Sequence, residues 1–137
     1  MTGRRLFIDT VFVQALFNEA DQLHHHARAW APFLDSAIEL WKAVLIEIGN
    51  ALSTLNRAGA LDFIEQVYRS PNVRVISVDT ILLRRAADLY RDRSDKGWGL
   101  TDCISFVVMA DHGVTEALTA DKHFVQAGFK ALLSTTP

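Results

Sequence analysis

Short apolar runs alternate with longer stretches of helical period along the whole chain, and few architectures accept that order. Residues 6–8, 38–41, 73–78 and 116–119 are apolar or β-branched and read as strands. Between them, residues 11–17 and 22–34 carry apolar side chains at helical spacing. Over residues 43–57, Val44, Ile48, Ala51 and Leu55 form a helical stripe that Gly59 is expected to stop. Residues 61–69 form another predicted helix, closed by Ser70-Pro71-Asn72. Asp79 or Thr80 can cap a helix running to about Arg93, and Thr101 can cap one over residues 102–111 that Gly113 ends. A short helix over residues 121–127 and an edge strand over residues 130–133 complete the order. Strands separated by helices imply right-handed crossovers and a mostly parallel sheet covered on both faces, an α/β fold of three layers.

The 137 residues are enough for one domain and its core, and no linker or repeat divides them. Fourteen basic against sixteen acidic residues give a net charge of −2, which excludes a polybasic nucleic-acid binder but not an enzyme with a local basic patch. The single cysteine, Cys103, cannot form an internal disulfide and is expected to pack in the core of a protein from a reducing compartment. Met1-Thr2-Gly3-Arg4-Arg5 leads into an apolar stretch that soon meets Asp9, so no secretory segment is expected. The longest nearly apolar run, residues 103–110, is far below the roughly 18 needed to span a bilayer. A cytoplasmic location follows as the expectation.

In open parallel sheets, functional groups gather beyond the carboxyl ends of the strands. Asp9 follows the first strand, Asp79 the third and Asp121 the fourth, while Asp102 opens a helix. Any one of these acids could be only a helix cap. Glu47 is harder to dismiss, because it lies toward the apolar stripe of its helix, where a carboxylate needs a cation or donors. If Asp9, Glu47, Asp102 and Asp121 converge, their mutual repulsion calls for a hard divalent cation such as Mg²⁺ or Mn²⁺, and such a site suits metal-assisted hydrolysis. His24-His25-His26 cannot all reach one metal from a helix and read as a solvated face.

These acids sit in segments that resemble a known family. Phe7-Ile8-Asp9-Thr10, Ile46-Glu47-Ile48-Gly49-Asn50, Leu100-Thr101-Asp102-Cys103-Ile104-Ser105-Phe106 and Leu118-Thr119-Ala120-Asp121-Lys122-His123-Phe124 are similar, in order and spacing, to PIN domains. More narrowly they resemble the VapC toxins of type II toxin–antitoxin pairs. The resemblance implies a PIN-like α/β/α sheet over residues 1–137, a Mg²⁺- or Mn²⁺-dependent endoribonuclease, a homodimer, an RNA substrate and a small inhibitory antitoxin. It makes Asp9, Glu47, Asp102 and Asp121 the catalytic quartet, with Asp9, Asp102 and Asp121 as metal ligands. Thr10 is then the group that orients Asp9, and Thr101, Ser105 and Thr119 are further supporting hydroxyls. Val11, and Leu40-Trp41-Lys42 before Glu47, depart from the family pattern.

Three surfaces stay open at this level. The run from Arg84 to Lys96, with Arg85, Arg91 and Arg93 between, is either a solvated helix face with internal pairs or an RNA track. Trp98 either packs its loop down or stacks on an unpaired base, and Lys122 and His123 could touch a phosphate. Two other functions compete with the ribonuclease. A signalling receiver domain would need an acidic pair after the first strand, where Asp9 stands alone. A degenerate PIN-like binding scaffold would not need the full quartet.

Overall fold

A computed structural model describes residues 4–137. Met1–Gly3, part of the stretch in which no secretory segment is expected, lie outside the described residues. The elements run β1 (Arg5–Ile8), α1 (Thr10–Phe17), α2 (His24–Trp30), a 3₁₀ turn (Ala31–Asp35), β2 (Ala37–Trp41), α3 (Lys42–Ala51) and α4 (Arg57–Arg69). They continue through β3 (Val73–Ile76), α5 (Thr80–Asp92), α6 (Leu100–Asp111), β4 (Glu116–Leu118), α7 (Lys122–Gln126), β5 (Lys130–Ala131) and a last 3₁₀ turn (Leu132–Ser134). The five strands form one parallel sheet in the order β3-β2-β1-β4-β5. The expected α/β/α fold is what forms.

Alternation along the central strands assigns the faces. Ile8 and Ile38 line a recess with Phe17 of α1 and with Phe63 and Val67 of α4. Phe7 points the other way, onto Phe124 of α7 at a ring separation of 6.1 Å, and Phe124 meets Phe106 of α6 edge-on at 5.0 Å. Trp41 also faces α6, donating its indole N–H to Ser105 Oγ at 3.1 Å. Aromatic pairs of this kind contribute about 0.5–1.5 kcal/mol each beyond their burial. Here they seat α6 and α7 against β1, which decides where Asp102 and Asp121 arrive. Cys103 is fully buried among these residues, as expected.

Several boundaries differ from the expectation. The stretch 22–34 is not one helix: Pro32, which lacks an N–H, lies in the 3₁₀ turn that follows α2. The predicted helix 43–57 stops at Ala51, and Leu55 is 63% exposed rather than part of a buried stripe. Gly59 does not end that helix. It lies in the first turn of α4, where its N–H donates to the cap residue Asn56 at 2.9 Å, and a Cβ there would meet the Asn56 side chain at 2.6 Å. Gly113 and Gly128 do terminate helices, both with positive φ. Val114 N–H bonds Met109 O and Phe129 N–H bonds Phe124 O, each at 2.9 Å, closing two αL caps of the Schellman type.

The histidine run is not a wholly solvated face. His24 Nδ1 donates to Ala15 O at 2.7 Å and His26 Nδ1 to Leu133 O at 2.6 Å, tying α2 to α1 and to the C-terminal turn. Only His25 is exposed. Among the described residues no helix is long and apolar enough to cross a membrane.

Candidate active site

The chain leaves β1 in one direction, through β2 to β3, and then crosses to β4 on the other side of β1. Parallel pairing sets Ile8 opposite Leu118, so the residues after these two strands emerge side by side. Asp9 is the N-cap of α1 by backbone position, yet its side chain makes no capping bond. Its carboxylate turns to β4 instead, where Thr119 Oγ1 donates to Asp9 Oδ2 at 2.8 Å. The same Thr119 hydroxyl accepts the Asp121 backbone N–H at 3.1 Å. Thr119 is fully buried, so this one hydroxyl sets the spacing of the two acids.

Asp121 caps α7, accepting the His123 N–H at 2.9 Å. Asp102 lies in the first turn of α6 and reaches back to the Gly99 N–H at 3.1 Å, where the helix dipole favours its charge. Thr101, expected as the cap of this helix, is exposed and the N-cap is Gly99, because the helix begins two residues earlier, at Leu100. His123 Nδ1 donates to Asp102 Oδ2 at 3.0 Å and lies 3.5 Å from Asp121 Oδ1. The ligand atoms of Asp102, Asp121 and His123 all fall within 4.8 Å of one another.

Glu47 reaches the site from α3 and is half-buried. Its Oε2 accepts the Thr10 hydroxyl at 2.9 Å, which supplies the donor that a carboxylate near an apolar stripe requires. The role expected of Thr10 is thereby corrected. It bonds Glu47, since α1 packs on α3, while Asp9 is oriented by Thr119. Ser105 is buried but serves Trp41, holding α6 to β2 about one turn beyond Asp102. No side-chain hydrogen bond engages Thr101 among the described residues.

The structure thus brings Asp102 and Asp121 into one compact group, links Asp9 to it through Thr119 and joins Glu47 through the residue next to Asp9. His123 is the member that sequence reasoning undervalued, treating it as a phosphate contact. Its place two residues after Asp121, inside the first turn of α7, was the available signal. Burial raises the Asp9 carboxyl from 3.8 to about 6; the Thr119 and backbone Thr10 hydrogen bonds oppose the rise, and the Asp121 and Asp102 charges add to it. Ionised Asp9 therefore lacks first the solvation that water would give it, and the two neighbouring carboxylates add to that cost. Partly buried oxygen donors with one imidazole are a set that fits a divalent cation.

Trp98 does not offer its ring to a ligand. It is only 6% exposed, donates to Gln126 Oε1 at 3.0 Å and packs edge-on against Phe106 at 5.0 Å. The basic run is largely paired: Arg85 makes a bidentate contact with Asp111, Arg91 meets Asp88 and Asp92, and Arg93 meets Asp95.

Fold and site together define a parallel α/β/α domain with an acidic cluster where the strand order reverses. Residues 6–130 match the family model of the PIN domain, and the chain belongs to that family. It is similar to the crystal structure of Mycobacterium tuberculosis VapC20, described as a sarcin–ricin loop cleaving toxin. That likeness has a TM-score of 0.82 and 26% identity, over 96% of this chain and 99% of that one. The VapC-like resemblance read from the sequence is borne out by this match. FitAcB from Neisseria gonorrhoeae shares the fold, with a TM-score of 0.67 and 17% identity over 92% of this chain and 95% of that one. Comparison with curated proteins gives no match.

Proposed function

We propose that this chain is a single-domain, metal-dependent endoribonuclease that hydrolyses RNA phosphodiester bonds as the toxin of a type II toxin–antitoxin pair. The observation that carries the reading is the meeting of Asp102 and Asp121 beside His123, with Asp9 joined to them through Thr119. The likeness to VapC20, a sarcin–ricin loop cleaving toxin by its description, supports the substrate class.

Asp9, Asp102 and Asp121 are the residues that would hold Mg²⁺ or Mn²⁺. When bound, the ion supplies positive charge that polarises the scissile phosphate and offsets the charge developing on the leaving oxygen. Thr119 keeps Asp9 aimed at the site by donating to one of its oxygens. Glu47, fixed through Oε2 by Thr10, keeps Oε1 to accept a proton from the attacking water as the P–O bond breaks. Asp9 must be ionised to hold the cation, so metal affinity is expected to rise with pH through about 6. The same reading includes a homodimer, a small antitoxin that blocks the pocket, and action in the cytoplasm.

The test maps RNA ends after brief expression of wild type beside Asp9→Asn and Asp102→Asn. New 5′ ends and growth arrest are expected from wild type alone, with all three proteins folded by circular dichroism. Full cleavage by purified Asp9→Asn would refute the mechanism.

A further inference from the structure

Beyond the acidic cluster, a second feature, a recess, opens between the end of α5 and the loop that leads into α6. It has a volume of about 710 Å³ and is lined by Tyr90, Arg91, Ser94, Lys96, Gly97 and Trp98. That size lies within the roughly 300–1,000 Å³ of typical ligand sites. Its chemistry is the reverse of its neighbour's. Arg91 contributes a cation whose acidic partners are exposed and on its own helix, so they hold it weakly. Lys96 has no ion pair among the described residues. Tyr90 presents a ring that is 52% exposed.

The recess borders the acidic cluster through Gly97. A Cβ placed on Gly97 would lie 3.9 Å from His123 Nε2 and meet nothing else within 4 Å, so the loop runs directly beside the imidazole at this point. His123 in turn bonds Asp102, and Asp102 holds the Gly99 N–H of the same loop. The loop is also anchored from beneath, because Trp98 is buried and the Arg93 guanidinium sits 5.0 Å over its ring. Position in the recess is therefore tied to position at the acids.

We propose that this recess seats an unpaired nucleotide of the RNA substrate beside the scissile bond, with Tyr90 as the stacking platform and Lys96 as the phosphate contact. The inference rests on the ribonuclease reading and adds where the strand lies. An exposed ring beside a free cation suits single-stranded RNA, since a duplex keeps its bases stacked on one another.

The test measures binding by fluorescence anisotropy in an Asp9→Asn background with Mn²⁺ present, using a short single-stranded oligoribonucleotide and the same sequence in a duplex. Wild-type cleavage of the single strand is assayed in parallel. Tyr90→Ala is expected to weaken single-strand binding about tenfold or more, with Tyr90→Phe restoring it. Lys96→Ala should lower the slope of log affinity against log salt by about 0.7. Gly97→Leu, which raises a side chain between the recess and the acidic cluster, should weaken binding while melting temperature stays unchanged. If wild type cleaves the oligonucleotide but Tyr90→Ala and Lys96→Ala bind it unchanged, the recess is not the nucleotide seat and the ribonuclease reading survives. If wild type cleaves no RNA, both readings fall. A change of oligomeric mass in Tyr90→Ala, with RNA binding intact, would assign the ring to a protein interface and overturn the proposal.

Discussion

Replacing Asp9 with Asn should make the metal-free protein more stable, and the size of the gain follows from the burial of one carboxylate. The Asp9 carboxyl is raised from 3.8 to about 6, first by burial and then by the neighbouring Asp121 and Asp102 charges. A rise of that size corresponds to about 3 kcal/mol of unfavourable free energy for the ionised form in the folded state. The sign follows from proton uptake. Between about pH 3.8 and 6 the folded chain binds more protons than the unfolded one, so stability falls as pH rises through this window. Asn retains an oxygen to accept the Thr119 hydroxyl and carries no charge. In chelator at pH 7.5, Asp9→Asn should therefore be more stable than wild type by about 2–3 kcal/mol, or on the order of 5–10 °C in melting temperature. At pH 4 the difference should vanish. Saturating Mn²⁺ should stabilise wild type more than the variant and narrow the gap, because the cation compensates the charge that Asn has removed. Thermal melts across pH 4–8, with and without Mn²⁺, give the answer. A gap that does not change with pH, or a wild type as stable as Asp9→Asn at pH 7.5 in chelator, would refute the reasoning.

Thr10→Val should leave the Glu47 carboxylate without its donor and reduce cleavage at least tenfold with the melting temperature nearly unchanged, whereas Thr10→Ser restores activity; steady-state kinetics separates the two. Ser105→Ala should cost about 1–3 kcal/mol by denaturant unfolding, because the buried Trp41 indole N–H loses its acceptor. Gly128→Ala forces a Cβ into a position with φ of +95° and should cost about 1–2 kcal/mol. Asn56→Ala removes the cap of α4 and should cost about 1 kcal/mol in the same assay.

Much of this was legible in one dimension. Leu6-Phe7-Ile8 folds as read because a strand buried on both faces must be continuously apolar, and Val73-Arg74-Val75-Ile76, at the sheet edge with Arg74 exposed, folds as read from its β-branched residues. Asp9, Asp102 and Asp121 stood out for the same local reason, each at a strand end or helix start. The misreadings were also local. Gly59 looks like a stop signal until Asn56 is seen capping the turn that contains it. Leu55 continues a heptad-like stripe on paper, but it lies past the end of α3, where nothing covers it. Trp98 carried two readings, and the partners that chose between them, Gln126 and Phe106, come from other elements.

The amino-acid order by itself determined the alternation of strands and helices, the parallel sheet that alternation requires, and the acids at the ends of its strands. Those depend on backbone preference and hydrophobic period, which act over a few residues. Tertiary structure alone decided which hydroxyl serves which acid: Thr119 holds Asp9, and Thr10 holds Glu47. It alone brought His123 against Asp102 and set a basic, aromatic recess beside the acidic cluster. These contacts join residues far apart in the chain, at separations of about 3 Å. Only the packing of α6 and α7 on the sheet brings them that close, and no local propensity encodes it.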